Sequence, residues 1–198
     1  MKPLLYAALI IMLFTSQAAF AGDSAATNPV EDKIANTSFS YGIDAGYGVR
    51  LWGSDRNIDM PMGAVHIAFP LMKPIGSSWY RGVLEYKVEL QGGVITDFDD
   101  RAFVGLTPVG LRYNFTGAGK HVPYVEGALG VSYLDVPRYV QGTTFNFTEM
   151  AGVGVRYFLR PGMAVNVEAR YMHISNSGIR EPNEGINEGY LMLGMSFY

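Results

Sequence analysis

From Phe39 onward, apolar positions alternate with small or polar ones. Phe39, Tyr41, Ile43, Ala45, Tyr47, Val49 and Leu51 share one parity, and Ser40, Gly42, Asp44, Gly46, Gly48 and Arg50 share the other. Successive side chains of a strand point to opposite faces, so this segment predicts a strand with one greasy face and one small or charged face. The same alternation recurs over residues 65–71, 84–90, 109–115, 125–133, 153–157, 165–171 and 191–197. Facing these apolar residues on the second parity are His66, Glu85, Lys87, Glu89, Arg112, Glu126, Arg156, Glu168 and Arg170, interspersed with glycines. The pattern predicts about eight strands of ~10 residues, the length that crosses a bilayer when tilted. Turn residues separate them, among them Pro74-Ile75-Gly76-Ser77, Gly117-Ala118-Gly119 and Arg160-Pro161-Gly162. Pro61, Pro108 and Pro123 fall near the predicted strand starts, where a missing ladder donor is tolerated.

Such alternation fits two opposite architectures. A soluble sandwich or lipid-carrying barrel turns its apolar face inward, whereas a membrane barrel turns it to lipid. Glycine weakens a strand surface that only meets water, but it suits the narrow inside of an eight-stranded barrel, where opposite charges neutralise one another. Trp52, Trp79, Tyr80, Tyr113, Tyr124, Tyr157, Tyr171 and Tyr198 lie near strand ends, like girdles at two interfaces. The expected fold is therefore all-β, an eight-stranded antiparallel transmembrane β-barrel. With an even strand number both termini lie on the periplasmic side, so the link from strand seven to strand eight faces outward.

Composition agrees. The chain has 198 residues, 48% hydrophobic and 17% charged, and a net charge of −3. That suits one domain, and gives no reason to expect a nucleic-acid partner. Without cysteine, disulfides, thiol catalysis and Cys-ligated metals are excluded. Residues 1–21 read as a signal peptide: Lys2, an apolar run, then Ala19-Phe20-Ala21 as the cleavage pattern. Residues 22–37 read as a loose polar lead-in and residues 38–198 as an outer-membrane barrel.

The chemistry gathers where strand seven ends. His173 and Ser175 share the parity of Val165, Val167 and Tyr171, so both point toward lipid. Residues two apart on one face are about 7 Å apart at the backbone, near enough for a His to take a Ser proton. By itself His-x-Ser is a weak motif, and such a pair also decorates interfaces with water. His66 on an inward face and His121 in a turn give little support to a metal site. Asp97, Asp99, Asp100 and Arg101 read as an outward, solvated loop.

His173-Ile174-Ser175-Asn176-Ser177-Gly178, followed by Pro182-Asn183-Glu184-Gly185-Ile186-Asn187, resembles the C-terminal signature of the lipid A 3-O-deacylase (PagL-type) family. The resemblance implies an outer-membrane esterase that removes the 3-O-linked acyl chain of lipid A, with lipopolysaccharide as substrate and no cofactor or metal. It implies His173 as general base, Ser175 as nucleophile, and Asn176 and Gly178 at the oxyanion site. The third position departs: the family arrangement has Glu where this chain has Asn187, and Glu188 next door falls on the opposite face. If Leu159 pairs with Met163 across the turn, Glu149 lies opposite His173. Asn187 and Glu149 are thus both candidates for orienting His173. The alternatives are a non-catalytic structural or adhesion barrel of the outer membrane and a soluble lipid carrier.

Overall fold

The computed structural model describes residues 28–53, 58–98 and 100–198. The expected signal peptide, the Ser54-Asp55 turn and Asp99 lie outside them. Eight antiparallel strands follow one another around a closed barrel: β1 (Ser40–Gly53), β2 (Met60–Pro70), β3 (Gly82–Ile95), β4 (Arg101–Phe115), β5 (His121–Leu134), β6 (Phe145–Arg160), β7 (Met163–Ser175) and β8 (Ile186–Phe197). β8 pairs back onto β1, so no sheet edge remains.

The two parities separate as the alternation requires. Leu129, Ile43 and Leu193 on the outer face are 60%, 58% and 57% exposed, whereas Glu85, Glu89 and Arg156 inside are fully buried. An apolar outer belt with charges within is the arrangement of a membrane barrel, and it excludes the soluble carrier.

The interior has three layers. In the middle, Lys87 Nζ lies 2.8 Å from Glu89 and 2.6 Å from Glu126, and Arg112 Nε lies 2.6 Å from Glu126. Arg170 spans Glu168 at 2.6 Å and Glu89 at 2.7 Å. Tyr124, expected in a girdle, instead points into this network and donates to Glu168. Buried charges are tolerable only when paired and hydrogen-bonded, and here each sign meets the other. Toward the outward end the interior becomes apolar, with Met60, Met62, Phe103, Met150, Met172 and Met192 buried together. The alternation alone predicted a small or charged inner face throughout. At this end side chains and loops fill the lumen, so methionines can pack against one another.

A helix closes the other end. α1 (Pro29–Asn36) occupies part of the segment expected to be a loose lead-in. Asn28 caps it by accepting from Val30 and Glu31, and Pro29 begins it where no amide donor is needed. Val30 and Ile34 pack among Val83, Val122, Phe158 and Ala164, with Tyr198 against the same cluster. Tyr198 therefore also faces inward rather than joining a girdle. Glu31 is held by Arg81 at 2.9 Å and by the Thr116 hydroxyl. Ile34→Asp should release α1 while leaving the barrel closed, because an unpaired buried carboxylate costs several kcal/mol. Limited proteolysis would then cut within residues 28–36 while heat-modifiable gel mobility persists.

Pro108 departs from expectation. It lies inside β4, which begins eight residues earlier than the alternation predicted, at Arg101. The register to β5 shifts between Leu106 and Val109, and that to β3 shifts between Lys87 and Glu89. A bulge at this point accommodates the proline, which has no amide to give. His121, expected in a turn, is the first residue of β5, with its ring 5.0 Å from that of Tyr157.

Candidate active site

Three strands meet at the candidate site. Across β6, β7 and β8, Glu149 pairs with His173 and His173 with Asn187, all on the outward parity near the outward end. The turn differs in detail from expectation: Arg160 rather than Leu159 pairs with Met163. A shift between Phe158 and Arg160 absorbs the extra residue and restores the register that places Glu149 opposite His173.

His173 Nδ1 lies 2.8 Å from Asn187 Oδ1. The same oxygen accepts from the Tyr171 hydroxyl at 2.5 Å, and Asn187 Nδ2 donates to the Trp52 carbonyl at 3.2 Å. The Tyr171 and Trp52 rings stack 5.4 Å apart. Among the described residues, no hydrogen bond joins Glu149 to His173, and Glu149 is exposed on the outer surface. Glu188 faces the interior as period two requires, fully buried, and its carboxylate has no hydrogen-bond partner among the described residues.

Ser175 ends β7, paired with Phe147. His173 and Ser175 share a face, and among the described residues no hydrogen bond joins their side chains. Catalytic hydrogen bonds are often long without substrate and tighten once it binds. After Ser175 the chain turns sharply. Ser177 and Gly178 take φ of 51° and 77°, and Ile179 N–H donates to Asn176 O at 3.0 Å. Asn176 is wholly buried and knits this turn: its Nδ2 donates to Arg180 O at 2.7 Å, and its Oδ1 accepts from Gly178 N–H at 3.0 Å. Its own N–H donates to Asn183 Oδ1 at 2.9 Å. The buried Gln141 amide, from the loop between β5 and β6, lies 2.9 Å from Asn183 Oδ1 and ties the two outward loops together.

Two contacts escaped sequence reasoning. A Cβ at Gly185 would lie 3.0 Å from His173 Cε1, and its φ of 71° also demands glycine, so this residue leaves the ring its space. The Tyr171–Asn187–Trp52 contacts were also missed, because Trp52 belongs to β1, far away in the chain.

Inside the barrel, Asp44, His66 and Glu89 place ligand-type atoms within 4.8 Å of one another. Asp44 is already bonded to His66 at 2.9 Å and Asn166 at 3.3 Å, and Glu89 to Lys87 and Arg170. Those two cations oppose a metal ion there, so this cluster belongs to the ion-paired interior.

The model of the family described as lipid A 3-O-deacylase (PagL) matches residues 75–196. A lipid A deacylase PagL of Pseudomonas aeruginosa is 32% identical over 77 residues, 37% of this chain and 42% of that protein, so the match spans less than half of the relative. The crystal structure of Neisserial surface protein A superposes with a TM-score of 0.60 at 16% identity, covering 81% of this chain and 97% of that one. That of the outer membrane enzyme PagL gives 0.52 at 21% identity, covering 76% and 97%. These two structures share the fold. The profile match over most of the chain, on an inside-out barrel of eight strands, shows that this outer-membrane protein belongs to the lipid A 3-O-deacylase (PagL) family.

Proposed function

We propose that the chain is an outer-membrane serine esterase that removes the 3-O-linked acyl chain of lipid A through an acyl-enzyme on Ser175. The observation that carries this reading is a histidine on the lipid-facing surface, held through Nδ1 by Asn187 and two residues from a serine on the same face. Catalytic groups on the outside of a barrel suit a substrate whose acyl chains lie in the membrane.

In this scheme Ser175 Oγ attacks the ester carbonyl carbon and its proton passes to His173 Nε2. The tetrahedral oxyanion collapses, the sugar oxygen leaves with the proton from His173, and the acyl group stays on Ser175. Water, deprotonated by His173, then releases the fatty acid and restores the serine. Asn176 and Gly178 supply the oxyanion donors. This role requires the Asn176 amide to exchange Arg180 O for the oxyanion, or its neighbours' N–H groups to turn toward it.

The acyl chain has somewhere to lie. A groove of about 450 Å³ on the outer face is lined by Val109, Leu111, Gly127, Leu129, Glu149 and Tyr171. On the other flank of Tyr171, one of about 530 Å³ is lined by Tyr47, Leu51, Ala169, Gly189 and Leu191.

Of the two candidates for orienting His173, the contact favours Asn187. Asn187→Ala is expected to lower kcat by about 10²–10⁴-fold, as losing the group that holds a catalytic imidazole does. Glu149→Ala should cost less than about tenfold, since no hydrogen bond links it to the ring among the described residues. Equal losses in an ester-hydrolysis assay would return Glu149 to the orienting role.

Mass spectrometry of lipid A exposed to the native protein in detergent tests the whole reading. Loss of the mass of one 3-O-linked acyl chain is expected. Unchanged lipid A would favour a non-catalytic barrel.

A further inference from the structure

We infer that the β1 bulge and Tyr171 stand in for the missing carboxylate, by locking the Asn187 amide so that His173 carries its proton on Nδ1 and keeps Nε2 free as the base. This rests on the proposed role of His173, although the tautomer it predicts can be measured without any turnover.

An amide can present either its oxygen or its NH₂ to an imidazole. If the NH₂ faced His173 Nδ1, that nitrogen would have to be the bare one, the proton would sit on Nε2, and the base would be lost. A carboxylate does not have this problem, since both its oxygens accept. For an asparagine the orientation must be imposed from elsewhere.

The surroundings impose it. A carbonyl can only accept, so Trp52 O at 3.2 Å fixes which end of the amide is Nδ2. The other end, Oδ1, then receives both the Tyr171 hydroxyl at 2.5 Å and His173 Nδ1 at 2.8 Å. Because Oδ1 is an acceptor, Nδ1 must be the protonated nitrogen. Turning the amide over would place oxygen against the Trp52 carbonyl and NH₂ against the ring.

A local irregularity puts that carbonyl in place. Arg50 pairs with Glu188, yet Trp52 pairs with Asn187, so Leu51 is an extra residue in β1. Leu51 and Trp52 both lie exposed on the outer surface, as a bulge requires. Without the extra residue Leu51 would stand opposite Asn187. The ring of Tyr171 reaches across Gly189, its partner on β8, to stack on Trp52, which holds its hydroxyl over Asn187.

Tyr171 and the bulge are thus positioning features: they act on the base through Asn187. An isosteric carboxylate at position 187 would meet the Trp52 carbonyl without a proton between them, so the surroundings suit an amide.

The test is nitrogen NMR of the full chain in detergent micelles with ¹⁵N-labelled histidine, at a pH where His173 is neutral. His173 should show a protonated Nδ1 and a bare Nε2. Its signals are assigned by their loss in His173→Gln. Tyr171→Phe keeps the ring stack and removes the hydroxyl. It should lower kcat about tenfold, the worth of one such hydrogen bond, with KM unchanged. In an Asn187→Asp background, where either oxygen accepts from the ring, the same change should alter kcat by less than about twofold. A native His173 with its proton on Nε2 overturns the inference, as does an equal effect of Tyr171→Phe in both backgrounds. Neither result depends on Ser175: activity surviving in Ser175→Ala would refute the proposed function and leave the tautomer measurement standing.

Discussion

Ser175→Ala is expected to lower ester cleavage by at least about a thousandfold, with the barrel unaffected. Without the nucleophile no acyl-enzyme forms, and only the positioning and polar groups of the site remain to assist water. The folded protein should not notice, because the side chain sits at the strand end on the outer surface, only partly buried. Native and variant proteins should therefore show the same heat-modifiable mobility, while release of fatty acid from lipid A falls to near background. A variant that retains more than about a tenth of native activity would remove Ser175 from the mechanism.

The second large effect concerns stability. Arg170→Ala should cost about 3–5 kcal/mol, the usual consequence of taking one partner from a buried ionic network. Its guanidinium lies 2.6 Å from Glu168, 2.7 Å from Glu89 and 3.5 Å from Glu126, with both Arg170 and Glu89 almost wholly buried. Removing it leaves the buried carboxylates of Glu168 and Glu89 short of positive charge. Denaturation in urea with detergent micelles should move to markedly lower urea. Arg170→Lys should recover only part of the loss, since an ammonium cannot reach several carboxylates from one planar fork. A midpoint unchanged by Arg170→Ala would mean that water or neighbouring arginines neutralise Glu89 and Glu168.

Much of this was legible in the alternation itself. Period two determines which side of a barrel each residue takes, so the outward placement of His173, Ser175 and Asn187 and the inward placement of Glu188 followed from parity. Even the Glu149–His173 pairing emerged from the turn at Pro161, although the extra residue lies in β6 at Leu159 and the turn itself holds only Pro161 and Gly162. What escaped has a common cause. Pro108 inside β4, Leu51 in β1 and Leu159 in β6 are irregular points where two residues face one, and a strict alternation has no place for them. The Trp52 contact to Asn187 depends on one of them and on closure of β1 against β8, which brings together residues more than a hundred positions apart. α1 was missed because a short polar segment with Pro29 at its start becomes helical only when Val30 and Ile34 find the mouth of the barrel.

The central claim is that a serine on the lipid-facing wall is the covalent catalyst. It is tested most directly by treating the full-length protein in micelles with a long-chain alkyl fluorophosphonate and mapping the labelled peptide by mass spectrometry. The label should sit on Ser175 and should be lost in His173→Ala. Labelling of another residue, or none in a preparation that cleaves lipid A, would contradict the account.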